Sequence, residues 1–168
     1  MFDNVQHACD EGVADELAGL IHSADNVLAI ASGMSGAALY DLQMGLCATD
    51  KIILIATDAI DLEEPIGSLS ESDLLITLSL TGYFAAHNAA RIRACKAATV
   101  LITTSDEAVL NDAFDHVYRI GPFVGMKHRS LYSKYATAFF FDQVFMRYVE
   151  LFDNPPAKEA GEEAGKDA

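Results

Sequence analysis

The sequence predicts an α/β domain built on a five-stranded parallel sheet, and three observations carry that prediction. Five short apolar runs, Val27–Ala31, Ile52–Ala56, Leu74–Leu78, Thr99–Thr103 and Val117–Ile120, punctuate the chain. The stretches between them place apolar residues at helical spacing. The runs are continuous rather than alternating, which is how strands read when helices cover both faces of a parallel sheet.

Residues 5 to 23 put Val5, Ala8, Val13, Leu17, Leu20 and Ile21 at spacings near three and four, so one amphipathic helix is expected to run through Gly12. After the first apolar run, Ser35 to about Cys47, with Ala37, Ala38, Leu39, Leu42, Met44 and Leu46, suits a helix packed closely on the sheet. Thr57 to Ser72, containing Pro65 and Gly67, reads as a loop with room for a short helical turn. Tyr83 to Lys96 is the next helix, and Arg91, Arg93 and Lys96 fall in its last turns, where cations interact favourably with the helix dipole. A short helix is expected over Glu107 to Ala113. A loop with Gly121-Pro122 and Gly125 then leads into a long aromatic-rich helix from about Ser130 to Phe152.

From Asn154-Pro155-Pro156 the composition turns to Ala, Gly, Glu and Lys, which cannot bury enough surface to offset the entropy of ordering. One domain over residues 1–153 and a disordered acidic tail over 154–168 are expected. Right-handed crossovers leave few topologies, and the expected one is a flavodoxin-like three-layer αβα sandwich with strand order 2-1-3-4-5. In that order the first and third strands are neighbours whose following helices lie on opposite faces. The crevice beyond their carboxyl ends is the topological switch point where such sheets bind ligands.

At 168 residues and 51% hydrophobic content the chain suits one full-sized core. Its longest apolar runs fall well short of the roughly 20 residues of a membrane span, and the acidic N-terminus lacks the basic region of a signal peptide. No membrane partner and a cytoplasmic location are therefore expected. A net charge of -14 argues against direct nucleic-acid binding, which draws on lysine and arginine to neutralise phosphates. Cys9, Cys47 and Cys95 are odd in number and far apart, so neither a disulfide framework, a zinc site nor a cofactor is expected, and the thiols read as buried and free.

Two small loops rich in donors sit in equivalent settings: Ser32-Gly33-Met34-Ser35-Gly36 after the first apolar run, and Ser79-Leu80-Thr81-Gly82 after the third. A phosphate needs donors converging from several directions. Backbone N–H groups at a helix N-terminus supply them together with the positive end of the dipole, and hydroxyls add donors that rotate to suit. Ser79 and Thr81 stand two apart around a turn, Gly82 permits close backbone approach, and Ser35, with Ser32 as a weaker neighbour, comes from the adjacent loop. The same hydroxyls also suit plain helix caps, and the residues leave both readings open.

At these loops the sequence resembles the sugar isomerase domain, SIS, whose pattern is A-x-G-x-S or G-x-G-x-S in the first loop and S-x-S-G-x-T in the second. Ala31-Ser32-Gly33-Met34-Ser35 fits the first, and Ser79-Leu80-Thr81-Gly82 fits the start of the second. The resemblance runs from about residue 10 to 152 and takes in Ile102-Thr103-Thr104-Ser105 and Ser130-Leu131-Tyr132-Ser133-Lys134. It is most similar to the effector half of RpiR-type transcription regulators. It implies a phosphosugar ligand, dimerisation that often completes the site, and phosphate contacts from Ser35, Ser79, Thr81 and Gly82. Lys134 joins these as a candidate phosphosugar-binding residue. Tyr83 and Phe84 replace the usual polar residue and the threonine of the second pattern, and Met34 stands where a small or polar residue is common.

Aldose-ketose isomerisation needs a general base within reach of a carbon-bound proton, and the enzymatic relatives imply a carboxylate near the last loop. From His116 to Phe141 the chain has no Asp or Glu, while Arg119, Lys127, His128, Arg129 and Lys134 gather there. Residues 1 to 50 contain no Lys or Arg, so this is the basic end of an acidic chain. Its field would draw in a small anion, and the same cations also suit ion pairs with acids of the first helix. Tyr132, Tyr135, Phe139, Phe140, Phe141, Phe145 and Tyr148 are too many for one core-facing stripe and suggest a subunit interface.

The reading that follows is a sugar-phosphate-binding sensor or regulatory module of carbohydrate metabolism, a homodimer or higher homo-oligomer. Met1 stands almost at the first helix, from which a free-standing module, or an effector portion without a helix-turn-helix, is expected. Two alternatives stay open: an isomerase using His128 or a carboxylate from a partner subunit, and a degenerate fold kept for protein association with Phe84 filling the crevice. His87 is expected to face solvent, and Glu63 and Glu64 a solvated loop.

Overall fold

The computed structural model describes residues 2–57, 62–122 and 135–153. The expected tail, His128, Lys134, and Lys127 and Arg129 beside them lie outside the described residues.

Helices α1 (Phe2–Asp10) and α2 (Val13–Ser23) lead into β1 (Val27–Ala31), a turn at Gly33–Ser35 and α3 (Gly36–Cys47). Then follow β2 (Ile53–Thr57), α4 (Glu63–Gly67), β3 (Leu74–Leu78), α5 (Tyr83–Arg93), β4 (Ala98–Thr103), α6 (Ala108–Asn111), β5 (His116–Arg119) and α7 (Thr137–Tyr148). A π-helical turn over Val149–Asp153 closes the described chain. The five strands form one sheet in the order β2-β1-β3-β4-β5, every pair parallel. This is the three-layer αβα architecture that the apolar runs predict. No described helix is long and apolar enough to cross a membrane.

The continuous apolar strands divide their side chains between two cores. Val27, Ala29, Ala31, Leu74, Ile76 and Leu78 face a layer that holds Val5, Leu17, Ile21, Leu39 and Leu46 of α1, α2 and α3 and Phe140 and Phe141 of α7. Leu28, Ile30, Leu75 and Leu101 face the opposite layer, with Ile66 of α4, Ala85, Ala89 and Ile92 of α5 and Leu110 of α6. Each strand is buried on both sides, so alternation has no reason to appear.

Three expectations need correction. The single first helix is two, because Gly12 takes a left-handed φ of 91° and breaks the backbone ladder. The apolar spacing persists across that break because α1 and α2 both pack on α7. Strand β2 is shifted by one residue, leaving Ile52 outside the sheet and 63% exposed. The cysteines are not uniformly buried: Cys47, in the last turn of α3, is exposed, while Cys9 and Cys95 are half-buried. Burial and the neighbouring Asp10 and Asp15 push the Cys9 thiol up to about 11.

The aromatic surplus of the last helix is largely taken up within the chain. Helix α7 is packed by α1, α2 and α3 together, so it needs more than one apolar stripe. Phe140, Phe141 and Tyr148 lie in the core, Phe139 meets Phe2 of α1 edge-on at 5.3 Å, and Phe145 fills the space before Gly45 of α3. A Cβ at Gly45 would lie 3.1 Å from that ring, which is why a glycine marks the crossing. The cation that does pair with the N-terminal acids is Arg147, which donates to both carboxylate oxygens of Asp15 and holds it below the usual carboxylate range.

At the amino edge of the sheet Asp73 ties β3 to β1. Its carboxylate accepts from Ser70 N–H and Oγ at 2.7 Å each, and from Asn26 Nδ2 at 2.7 Å and N–H at 3.0 Å. Those bonds, the Ser70 pair foremost, lower its pKa to about 2. A depressed carboxylate stabilises the fold fully above its ordinary pKa and loses that contribution as pH falls through the folded value. Wild-type stability is therefore expected to fall between about pH 5 and pH 2 by roughly 1–2 kcal/mol more than that of Asp73→Ala. Urea midpoints at pH 7, 4 and 2.5 measure this, and parallel curves for the two proteins would refute it.

Candidate functional site

Register brings the two donor loops together. The last paired residues of β1 and β3 are Ala31 and Leu78, so Ser32 and Ser79 emerge side by side at the carboxyl edge, one strand spacing of about 4.8 Å apart. Helix α3 then descends on one face of the sheet and α5 on the other, as their core partners show. The crevice between them is the switch point that the strand order requires.

In the first loop Gly33 takes a φ of 61° and opens the turn that delivers Ser35 to the start of α3. Ser32 is exposed. Ser35 is only 9% exposed, and its hydroxyl has no hydrogen-bond partner among the described residues. The next position, Gly36, lies so near the methyl of Thr57 at the end of β2 that a side chain there would collide with it.

The second loop is held more tightly. Ser79 Oγ accepts from Ala85 N–H at 3.2 Å, so this hydroxyl caps the first turn of α5 and keeps its own proton to donate. Gly82 has a φ of 78°, and a Cβ on it would stand 2.8 Å from Ser105 Oγ and 3.0 Å from Leu110 Cδ1. Thr81 is half-buried with no hydrogen-bond partner among the described residues. The N–H groups of Leu80, Thr81, Tyr83 and Phe84 likewise donate to nothing described, as befits the open end of a helix. Free hydroxyls, free N–H groups and the dipole of α5 can together hold a tetrahedral anion.

The structure thus brings Ser32, Ser35, Ser79, Thr81 and Gly82 to one edge. His87 is exposed, one turn along α5 in a near-parallel stack with Tyr83 at 6.5 Å, and Tyr83 is itself 78% exposed. Phe84 packs against the second core. Glu63 and Glu64 are exposed on α4. Arg119, at the carboxyl end of β5, donates to Ser105 O at 3.1 Å and Asn111 Oδ1 at 2.7 Å. No described group of three or more His, Cys, Asp or Glu could hold a metal. The sequence reading missed how the loop after β4 supports the site. Thr103, Thr104 and Ser105 are fully buried or nearly so against the second loop, and a run of three hydroxyls directly after a strand was the available signal.

No protein-family model matches the chain, and no curated protein does. Solved structures do. The sugar isomerase domain of an RpiR transcription factor from Sphaerobacter thermophilus superposes with a TM-score of 0.70 at 17% identity, over 88% of this chain and 84% of that one. This chain has the SIS fold. The Vibrio vulnificus NanR protein complexed with ManNAc-6P gives a TM-score of 0.76 at 16% identity, over 90% of this chain and 60% of NanR. An Escherichia coli CFT073 protein in complex with a sugar phosphate gives 0.66 at 19% identity, over 89% and 86%. Regulators and isomerase-like proteins thus share the fold. At such identities the SIS fold is what is common, and the chemistry of this chain rests on its own residues.

Proposed function

We propose that the chain is a phosphosugar-binding SIS module with a sensory or regulatory role in carbohydrate metabolism, working as a homodimer or higher homo-oligomer. The observation that carries this is the pairing of Ala31 with Leu78, which sets two donor loops at the switch point of the sheet. Ser79, Thr81 and the α5 N-terminus form one wall of the phosphate site, Ser35 and Ser32 the other, and Gly82 lets the backbone approach. That NanR was solved with ManNAc-6P and the Escherichia coli protein with a sugar phosphate of its own supports this ligand class. The absence of Asp and Glu from His116 to Phe141 supports binding over isomerisation. Packing of Phe84 against the second core supports an open crevice over one plugged by that ring.

Thermal unfolding against a panel of pentose and hexose phosphates tests the reading. A ligand present at a hundredfold excess over Kd adds about 2.7 kcal/mol, a rise in Tm of roughly 5–10 °C. Thr81→Val should leave the ligand-free Tm within a degree or two, since its hydroxyl bonds nothing described, and should abolish most of the ligand-induced rise. A panel with no shift at all in the wild type would remove the proposal.

A further inference from the structure

The second loop owes its orientation to the loop after β4. Thr103 Oγ1 donates to Ser79 O at 2.7 Å, leans toward Leu80 O at 3.2 Å, and accepts from Ser105 N–H at 3.0 Å. Thr104 donates twice to Leu80 O, from Oγ1 at 2.8 Å and from N–H at 3.0 Å. Thr103 is fully buried and Thr104 nearly so, so water cannot replace these donors. Both carbonyls are therefore drawn toward β4.

In a trans peptide the C=O and the following N–H point in opposite directions, and no described peptide is cis. Pulling Ser79 C=O toward β4 turns Leu80 N–H away from β4, and pulling Leu80 C=O the same way turns Thr81 N–H away too. In the strand order β4 lies on one side of β3 and β1 on the other. Away from β4 is thus toward β1, where the Ser32–Gly36 loop stands. Neither N–H has an acceptor among the described residues.

We propose that Thr103 and Thr104 are positioning residues that aim the backbone N–H groups of Leu80 and Thr81 into the crevice, and that these two N–H groups bind the ligand's phosphate directly. The inference rests on the phosphosugar reading and adds the main-chain contacts and their cause. Preorganised donors cost no reorientation when the anion arrives. The arrangement also explains why Phe84 can stand where a threonine is usual: two fixed N–H groups do not depend on a hydroxyl one turn along.

Amide NMR of the full chain with inorganic phosphate, then glucose 6-phosphate, as probes tests this. In the wild type the Leu80 and Thr81 amide resonances should be among those that shift most on addition of either probe. Thr103→Val should weaken binding roughly tenfold, the scale of a lost hydrogen bond to a charged group, and quench those two shifts while the rest of the spectrum stays folded. Thr103→Ser should restore both, and Thr104→Val should act as Thr103→Val does if the latter fails to fold. Silent Leu80 and Thr81 amides with binding still lost on Thr81→Val would overturn the aiming role and leave the phosphate site standing. Unchanged affinity in Thr103→Val, or no rescue by serine, would overturn it as well. No response of the wild type to either probe would sink this inference and the phosphate site together.

Discussion

Gly82→Ala is expected to lower the unfolding free energy by about 3 kcal/mol and to abolish sugar-phosphate binding at the same time. Two costs combine. The left-handed φ of 78° penalises any residue with a Cβ by roughly 1–2 kcal/mol. The added carbon would also stand 2.8 Å from Ser105 Oγ and 2.9 Å from Ser105 Cβ, in a place where overpacking costs about 1–3 kcal/mol. Ser105 cannot retreat cheaply, because it is fully buried, its backbone N–H bonds Thr103 and its Oγ accepts from Glu107 N–H. The loop must move instead, and it carries Ser79 and Thr81 with it. Denaturant unfolding gives the first number and phosphate titration the second. A variant of wild-type stability with intact binding would show that the close approach to Ser105 is not what holds the loop.

Phe140→Ala is expected to cost more, about 3–5 kcal/mol, from a total that for a domain of this kind is about 5–15 kcal/mol. The ring is 0% exposed, meets Phe141 at 5.5 Å between centroids, and lies where α7 is covered by three other helices. Truncation leaves a cavity that α1, α2 and α3 cannot all close on. The urea midpoint should fall with the slope unchanged. The same experiment bears on the aromatic surplus: a loss independent of protein concentration places Phe140 in the monomer core, whereas a concentration-dependent loss would return it to a subunit interface.

The strands were legible because two-sided burial writes itself into a sequence as uninterrupted apolar residues. Leu74 to Leu78 could be read as a strand before any contact was known. The crossovers then restricted the order, and the order placed the switch point. Helix boundaries were less legible. Gly12 breaks the first helix without breaking its apolar spacing, since both pieces rest on α7. The aromatics of α7 looked like an interface because one stripe is the usual need of a helix, and three packing partners are not visible in one segment.

By itself the sequence determined the sheet, its strand order and the two loops at its carboxyl edge, because periodicity and small-residue turns are local properties of the chain. Only the tertiary structure decided how the second loop is aimed. Thr103 and Thr104 lie more than twenty residues beyond Ser79, and their hydroxyls act on the carbonyls of Ser79 and Leu80 because β4 pairs with β3. The direction of a peptide plane depends on which neighbouring strand holds its carbonyl. That is a property of the folded sheet and of no single stretch of sequence.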